Sequence, residues 1–296
     1  MLILLTLATG LVAGAIVSVF ALRWPNPDPG SPKLSPAGID QKVRSHPRLR
    51  AMLKARLDPT KATGLVLTVA LALVIGGGIG IGILLAMIHS NAGVARWDLR
   101  LARFGAEHAT KFSTDGLRLL TRLGSTEVVL PLAVVVGVLE FRRIASKALL
   151  FFLALTVAGQ LLMSNLIKWI VNRARPDILP LTGFSGKSFP SGHATTTAAS
   201  YAAFALLLGR RRSRRTKAIL SGVAAGITVV VAFTRVLLGV HWLTDVLGGI
   251  ALGWGWFALC SIAFGGRLLR FGAPAEVAAT VADTAPSSQS SRPVHS

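Results

Sequence analysis

The chain has 296 residues, of which 52% are hydrophobic and 15% are charged, and its formal net charge is +20. Because a soluble domain carries about 25% charged residues, this composition argues against a soluble protein. The Lys and Arg residues stand mostly in short gaps between apolar blocks. Basic residues in such gaps are expected to set the orientation of membrane spans, whereas a nucleic-acid-binding protein would have them on a polar surface. We therefore expect a membrane protein with no nucleic-acid partner.

Seven apolar blocks are candidates for transmembrane helices, since a hydrocarbon core of about 30 Å requires roughly 20 apolar residues per helix. They are 2–22, 65–88, 126–141, 147–169, 194–209, 217–238 and 243–264. The third and fifth blocks are short and require shielding by neighbouring helices. The predicted fold class is an all-α, multi-spanning bundle of transmembrane helices.

The ends of the chain are predicted to lie outside the main domain, 65–270. Residues 1–22 are interpreted as an N-terminal transmembrane anchor; a signal peptide is the alternative, but no basic residue precedes the apolar run. Segment 23–64 holds nine Lys and Arg residues and a proline-rich stretch, which predicts a cytoplasmic linker. The tail 271–296, rich in Ala, Ser and Pro, is predicted to be disordered.

The distribution of basic residues predicts the orientation of the spans. Four regions are rich in Lys and Arg: 23–64, 141–147, 209–217 and 267–270. Placing all four in the cytoplasm makes the spans alternate, with the N-terminus outside and the C-terminus inside. Segment 89–125 is then extracytoplasmic. Its residues 95–112 have helical spacing of apolar positions, which indicates either an interfacial helix or an ordinary amphipathic packing helix.

The first cluster of candidate functional residues follows the block 147–169. Lys168 and Arg175 are seven residues apart, two turns along one helix face, and Pro176 is expected to end the helix. Two cations on one face suit an anion with several oxygens, because Arg binds bidentately and Lys acts as a point charge. The alternative is a pair of snorkelling residues at a helix end.

The second cluster is Pro-Ser-Gly-His at 190–193, directly before the block 194–209. Ser191 is expected to cap the helix that begins here, and the free N–H groups of Gly192 and His193 make its N-terminus an anion site. His193 would then stand beside the anion, where it could donate a proton. A plain helix cap with a bystander histidine is the alternative.

The third cluster lies between the last two blocks. Arg235 ends one block, Gly239 permits a tight turn, and His241 opens the next, with Asp245 four residues further on. Residues at i and i+4 share one helix face, so the carboxylate can accept from one imidazole nitrogen and free the other to attack. A buried structural His–Asp pair is the alternative.

Together the three clusters resemble the signature of the type 2 phosphatidic acid phosphatase (PAP2) superfamily: Lys-x6-Arg-Pro, Pro-Ser-Gly-His and Ser-Arg-x5-His-x3-Asp. The match covers roughly residues 65–264, with Thr234 where the family usually has Ser. The resemblance implies a core of six transmembrane helices, so that the block 2–22 is one extra helix. No cluster has the ligand spacing of a zinc or magnesium site, and the family implies neither metal nor cofactor.

The resemblance also implies a role for each matched residue. His241 would attack phosphorus and form a phosphohistidine, Asp245 would orient it, and His193 would protonate the leaving oxygen and then activate water. The phosphoryl oxygens would be held by Lys168, Arg175, Ser191, Gly192 and Arg235.

The resulting functional prediction is a metal-independent lipid phosphatase of the bacterial inner membrane, with an extracytoplasmic site and membrane lipids around it. Isoprenoid diphosphate is expected first as substrate, ahead of phosphatidylglycerophosphate and phosphatidic acid. A lipid phosphotransferase, a lipid-phosphate transporter and a haloperoxidase relative are the alternatives. The sequence predicts no oligomeric state.

Overall fold

The computed structural model describes residues 1–23, 62–210 and 212–270, and all regular structure within them is helical. Most of the predicted linker and all of the predicted tail lie outside these residues. The helices, in chain order, are α1 (Leu2–Arg23), α2 (Ala62–His89), α3 (Arg96–Glu107), α4 (Lys111–Thr121), α5 (Thr126–Ile144), α6 (Lys147–Val171), α7 (Gly192–Gly209), α8 (Arg214–Leu237) and α9 (Leu243–Arg270). The predicted all-α transmembrane bundle is confirmed.

Four of the described helices are long and apolar enough to cross a membrane by themselves: α1, α6, α8 and α9. Two further candidates are bent pairs, in which the end of α2 joins α3 at 48° and α4 joins α5 at 43°. The expected span 194–209 is not among them. Its helix, α7, is 18 residues long and carries Thr195, Thr196, Thr197 and Ser200, whose buried hydroxyls lower its apolarity.

The segment 95–112, expected as one helix, forms two. Helix α3 ends at Glu107, and α4 begins after Thr110, whose side chain accepts a hydrogen bond from the Ser113 backbone N–H at 3.1 Å. The Ser113 hydroxyl in turn accepts from the Thr110 N–H at 2.9 Å. This reciprocal cap starts a new helix because it satisfies two free donors at once.

Helix α7 occupies the centre of the bundle, packed against α5, α6, α8 and α9. Tyr201, Phe204 and Leu207 join the main apolar core, which also includes Phe152 of α6 and Phe264 of α9. The ends of four helices therefore meet at one end of the bundle: the C-termini of α6 and α8 and the N-termini of α7 and α9. This convergence places the three sequence clusters together.

Helix α1 packs against α8 through small residues. A Cβ atom added at Gly14 would lie 2.8 Å from the Gly222 carbonyl oxygen, so the two backbones approach each other directly, as in other membrane helix pairs. At its N-terminal end, Leu2 is 1% exposed and packs with Leu237, Leu238 and Val240, the residues just before His241. Helix α1 thus supports the turn that carries the predicted nucleophile.

Candidate active site

Arg175 lies in the loop after α6, and not on the helix itself as the sequence predicted. Helix α6 ends at Val171, because Asn172 takes a left-handed conformation (φ 51°) and its N–H bonds the Lys168 carbonyl at 3.0 Å. The expectation that Lys168 and Arg175 share one helix face, with Pro176 ending the helix, is therefore wrong. The two cations nevertheless line one cavity, since the loop turns Arg175 back over the helix end.

Ser191 occupies the N-cap position of α7, as expected, but its hydroxyl makes no capping hydrogen bond. The Ser191 backbone N–H instead donates to the Asp245 carbonyl oxygen at 3.0 Å, which ties the second cluster to the third. The Ser191 Oγ is fully buried and has no hydrogen-bond partner among the described residues. A buried hydroxyl without a partner is costly, and Ser191, unlike Gly192 and His193, is not among the residues that line the cavity.

A tight turn between α8 and α9 presents His241. Gly239 has φ +70°, a conformation that other residues rarely adopt. A Cβ atom there would also lie 2.9 Å from the Leu179 carbonyl oxygen in the loop after α6. His241 lies in the turn before α9 and not within that helix. The two residues therefore do not share a helix face as expected: His241 in the turn faces Asp245 in the first turn of α9.

A cavity of about 370 Å³ lies where the three sequence clusters meet. Three of the lining residues are cations, two are histidines, and no carboxylate is among them. The lining residues are Lys168, Arg175, Gly183, Phe184, Ser185, Gly192, His193, Arg235 and His241. A cavity with this lining favours a multiply charged anion.

Arg175 uses all five of its N–H groups within the protein. They donate to four carbonyl oxygens and one ring nitrogen: Gly186 (2.9 Å), Val240 (2.7 Å), Ser185 (2.7 Å), Lys187 (3.2 Å) and His241 Nε2 (3.1 Å). Arg175 therefore holds the loop 185–187 over the cavity. A phosphate oxygen can replace only the contact to His241 without releasing that loop or the turn.

Arg235 reaches the cavity from the last turn of α8 and is 5% exposed. One terminal nitrogen lies 3.4 Å from the Thr121 hydroxyl, and its Nε has no partner among the described residues. A buried guanidinium with free donors is prepared to bind an anion. Thr234, by contrast, donates to the Val231 carbonyl at 2.6 Å and does not line the cavity.

His241 is 2% exposed and faces two different partners. Its Nδ1 lies 3.4 Å from Asp245 Oδ2, a close contact without the geometry of a hydrogen bond, and its Nε2 accepts from Arg175 at 3.1 Å. Because an arginine can only donate, Nε2 must be unprotonated and the proton must be on Nδ1. That tautomer leaves the lone pair of Nε2 facing the cavity.

His193 lies at the start of α7, ahead of the expected span 194–209, and lines the same cavity. Burial, followed by the charge of Arg235, lowers the pKa of His193 to about 3. Burial also lowers the pKa of His241 to about 4, although Asp245 opposes the shift. Both imidazoles are therefore neutral at physiological pH in the empty cavity, because further positive charge beside three cations is unfavourable.

The carboxylate of Asp245 is fully buried and has more partners than the sequence indicated. Oδ1 accepts from Arg173 at 2.6 Å, while Oδ2 accepts from the Trp242 N–H at 2.9 Å and from the Ser188 hydroxyl. Arg173 also bonds Asp98 of α3 at 2.8 Å. Sequence reasoning missed these partners; the one available signal was a second arginine, Arg173, two residues before Arg175.

Metal independence stays a prediction. Across the described ranges 1–23, 62–210 and 212–270, no three His, Cys, Asp or Glu residues gather closely enough to hold a metal ion.

The fold and the cavity define a class: a helical membrane protein whose converging helix ends hold a histidine pair among cations. The family model of the PAP2 superfamily matches residues 148–268. Phosphatidylglycerophosphatase B of Bacillus subtilis is 34% identical over 177 residues, which cover 58% of this chain and 84% of that protein. The chain belongs to the PAP2 superfamily and is an integral membrane phosphatase.

Two further comparisons agree with this assignment. The crystal structure of a transmembrane PAP2-type phosphatidylglycerolphosphate phosphatase from Bacillus subtilis superposes with a TM-score of 0.60 at 32% identity, covering 67% of this chain and 96% of that one. A lipid A 1-phosphatase of Rhizobium etli is 42% identical over 118 residues, covering 36% of this chain and 47% of that protein.

Proposed function

We propose that this protein hydrolyses the phosphomonoester of a membrane lipid through a phosphohistidine at His241. The observation that carries the proposal is the cavity itself, in which the unprotonated Nε2 of His241 and the ring of His193 face three cations. The nucleophile, the acid and the anion-binding groups of a two-step phosphoryl transfer are thereby assembled in one place.

The bound phosphoryl group would be held from three directions. Lys168 Nζ lies 3.5 Å from the position of a Cβ atom at Gly192, so the ammonium group and the helix N-terminus face the same space. Arg235 supplies its free donors from below, and the Ser191 hydroxyl offers one more. Charge-assisted hydrogen bonds of this kind stabilise the transition state because they are in place before the reaction.

In the first step, Nε2 of His241 forms a bond to phosphorus while the bond from phosphorus to the ester oxygen breaks. The leaving oxygen takes the electron pair of that bond and a proton from His193, which His193 has first received from the monoanionic phosphate group of the substrate. As Nε2 bonds to phosphorus, Arg175 loses its ring acceptor and its free N–H can bind a phosphoryl oxygen. Asp245 stabilises the positive charge that develops on the ring of His241.

In the second step, water attacks phosphorus and gives a proton to His193. The bond between phosphorus and Nε2 breaks, its electron pair returns to Nε2, and inorganic phosphate leaves. The sum is lipid phosphate plus water giving lipid alcohol plus phosphate. The proton that His193 takes from water leaves with the inorganic phosphate, so His193 ends the cycle neutral, as it began.

For the substrate, we propose phosphatidylglycerophosphate before isoprenoid diphosphate, the reverse of the order expected from the sequence. The reason is that the relative with 84% of its length matched is named phosphatidylglycerophosphatase B. The second relative is named for lipid A, another phosphorylated membrane lipid. A site near a span end suits a lipid whose tail remains in the bilayer, because only the headgroup must leave it.

We also propose that the cavity opens on the extracytoplasmic side of a bacterial inner membrane. The basic residues Arg142, Arg143 and Lys147, and the α7–α8 connection, lie at the opposite ends of the helices that converge on the cavity. The positive-inside rule puts those basic ends in the cytoplasm. Labelling of Asp177→Cys, but not Arg212→Cys, by an impermeant maleimide on intact cells would support this orientation.

The test of function is phosphate release from purified protein over a panel of lipid phosphates, in the presence of EDTA, with His241→Ala as control. We expect release from phosphatidylglycerophosphate and complete loss in the control. The covalent step is tested by rapid acid-free quenching of the wild type with ³²P-labelled lipid, which should trap an acid-labile, base-stable phosphoenzyme that is absent from His241→Ala. Release that survives in His241→Ala would refute the mechanism, and transfer to an added alcohol would favour a phosphotransferase.

A further inference from the structure

The mechanism leaves one partly buried charged group without a role. Arg173 does not line the cavity, yet it bridges two carboxylates: one terminal nitrogen lies 2.6 Å from Asp245 Oδ1 and the other 2.8 Å from Asp98 Oδ2. Asp245 is fully buried and Asp98 is 5% exposed. Two buried carboxylates would repel each other without the guanidinium between them.

Asp98 also holds the start of α9. Its Oδ1 accepts from the Thr244 backbone N–H at 2.9 Å, and its Oδ2 accepts from the Thr244 hydroxyl at 2.6 Å. The same hydroxyl accepts from Arg173 at 2.7 Å. A carboxylate at a helix N-terminus is stabilised by the free N–H groups there. Asp98, which lies on α3, therefore caps the N-terminus of α9, where Asp245 directly follows Thr244.

The consequence concerns the direction in which Asp245 presents its oxygens. Because Arg173 occupies Oδ1, the other oxygen, Oδ2, is the one turned toward His241 Nδ1. Without Arg173, Oδ1 loses its ionic partner, and only the Trp242 N–H and the Ser188 hydroxyl, both on Oδ2, still hold the carboxylate, so its contact with the ring is less well fixed. The tautomer with unprotonated Nε2 is supported from both sides of the ring, by Arg175 at Nε2 and by Asp245 at Nδ1, and its preference weakens when the second contact is less well fixed.

We propose that Arg173 and Asp98 are positioning residues that fix the His241–Asp245 pair from outside the cavity, an inference that rests on the proposed role of His241. Asp98 lies on α3, beyond residues 148–268 matched by the family model. The region before the matched segment would thus contribute directly to the geometry of the nucleophile.

The kinetic test uses Arg173→Gln and Asp98→Asn, alone and combined with Asp245→Asn. We expect each single change to lower kcat about tenfold to hundredfold, as an ångström-scale misplacement of a reacting group does, with KM changed less than about threefold. In the Asp245→Asn background the further loss should be less than about twofold, because the residues act through Asp245. The same fold-loss in both backgrounds would overturn the proposal.

The matched control is Arg118→Gln. Arg118 also ties a helix to the loop after α6, with its Nε 2.8 Å from the carbonyl oxygen of Leu181 in the middle of that loop, and it contacts neither Asp245 nor Asp98. This variant removes the same charge and a comparable tether, and its kcat should stay within about twofold of the wild type. An equal loss of kcat in Arg118→Gln and Arg173→Gln would refute a specific positioning role.

A second measurement does not depend on turnover. Protein labelled with ¹⁵N-histidine should show His241 as the Nδ1–H tautomer, assigned by the loss of its signals in His241→Asn. Arg173→Gln and Asp98→Asn should give a mixture of tautomers, and an unchanged spectrum would overturn the inference. If the wild type hydrolysed no lipid phosphate, the proposed function would fail while this measurement still reported on Arg173.

Discussion

Gly192 provides the sharpest test of the phosphate site, because its replacement by alanine adds one methyl group at a known place. A Cβ atom there would lie 3.5 Å from Lys168 Nζ, an ordinary contact, and would meet no other atom within 4 Å. The folded protein therefore tolerates the methyl group. A phosphoryl oxygen bound to Lys168 needs a position about 2.8 Å from Nζ, and the methyl group intrudes on that space.

The size of the effect follows from the interaction that is lost. A hydrogen bond to a charged group contributes about 1.5–3 kcal/mol, which corresponds to about tenfold to 150-fold in kcat/KM. We expect Gly192→Ala to lose that factor in kcat/KM for lipid phosphate, while its midpoint of thermal unfolding in detergent stays within about 2 °C of the wild type.

Two other glycines serve as controls for this experiment. A Cβ atom at Gly249 would lie 2.7 Å from the Ser191 carbonyl oxygen, so Gly249→Ala should lower both stability and activity. A Cβ atom at Gly255 would meet nothing within 4 Å, so Gly255→Ala should change neither. Full activity in Gly192→Ala would refute the reasoning, because it would place the phosphate away from the start of α7.

The remaining predictions concern protonation and two anion-binding groups. Since His241 attacks as the neutral ring, and its pKa is lowered to about 4, kcat/KM should hold as pH falls from 6 to 5 and decline only near pH 4; a decline beginning above pH 6 would contradict this. Both histidines are neutral before the substrate binds, so the proton for the leaving group must arrive with the monoanionic substrate. Therefore kcat/KM should fall above pH about 6, the second pKa of the phosphate. A substrate analogue whose phosphate has a lower second pKa should show this fall in kcat/KM at lower pH. Ser191→Ala should not lower the unfolding midpoint, because the buried hydroxyl has no partner to lose, but it should weaken inhibition by vanadate about tenfold; unchanged inhibition would exclude Ser191 from the site. Arg235→Lys should lower kcat by about tenfold or more although the charge is kept, because a single ammonium cannot reproduce the fork of donors; wild-type kcat would show that charge alone suffices.

The sequence predicted the helical class and the gathering of the three clusters, because apolar length and spaced charged residues are local signals. It could not predict the path of the loop after α6. Asn172 ends that helix four residues before Pro176 through a left-handed cap, and no strong pattern distinguishes this asparagine from others. As a result, the argument that put Lys168 and Arg175 on one helix face was wrong, although both line the cavity.

Contacts between distant segments account for the rest of what was missed. Asp98 lies in the segment 95–112, for which the sequence indicated an interfacial or amphipathic helix, yet it is buried against Thr244, 146 positions away. Arg173 carried no periodic signal that separated it from Arg175. Such pairings depend on how whole helices pack, and a single sequence does not show which distant residues come into contact.

The packing of Leu2 beneath the turn before His241 has a practical consequence for anyone who shortens this chain. The segment matched by the family model begins at residue 148, so a shortened protein designed from that match would lack residues 1–147. Deleting α1 would open the Gly222 and Gly226 face of α8 to detergent and leave Leu237 and Leu238 uncovered. A minimal catalytic fragment must therefore keep its first helix, or supply that helix as a separate peptide.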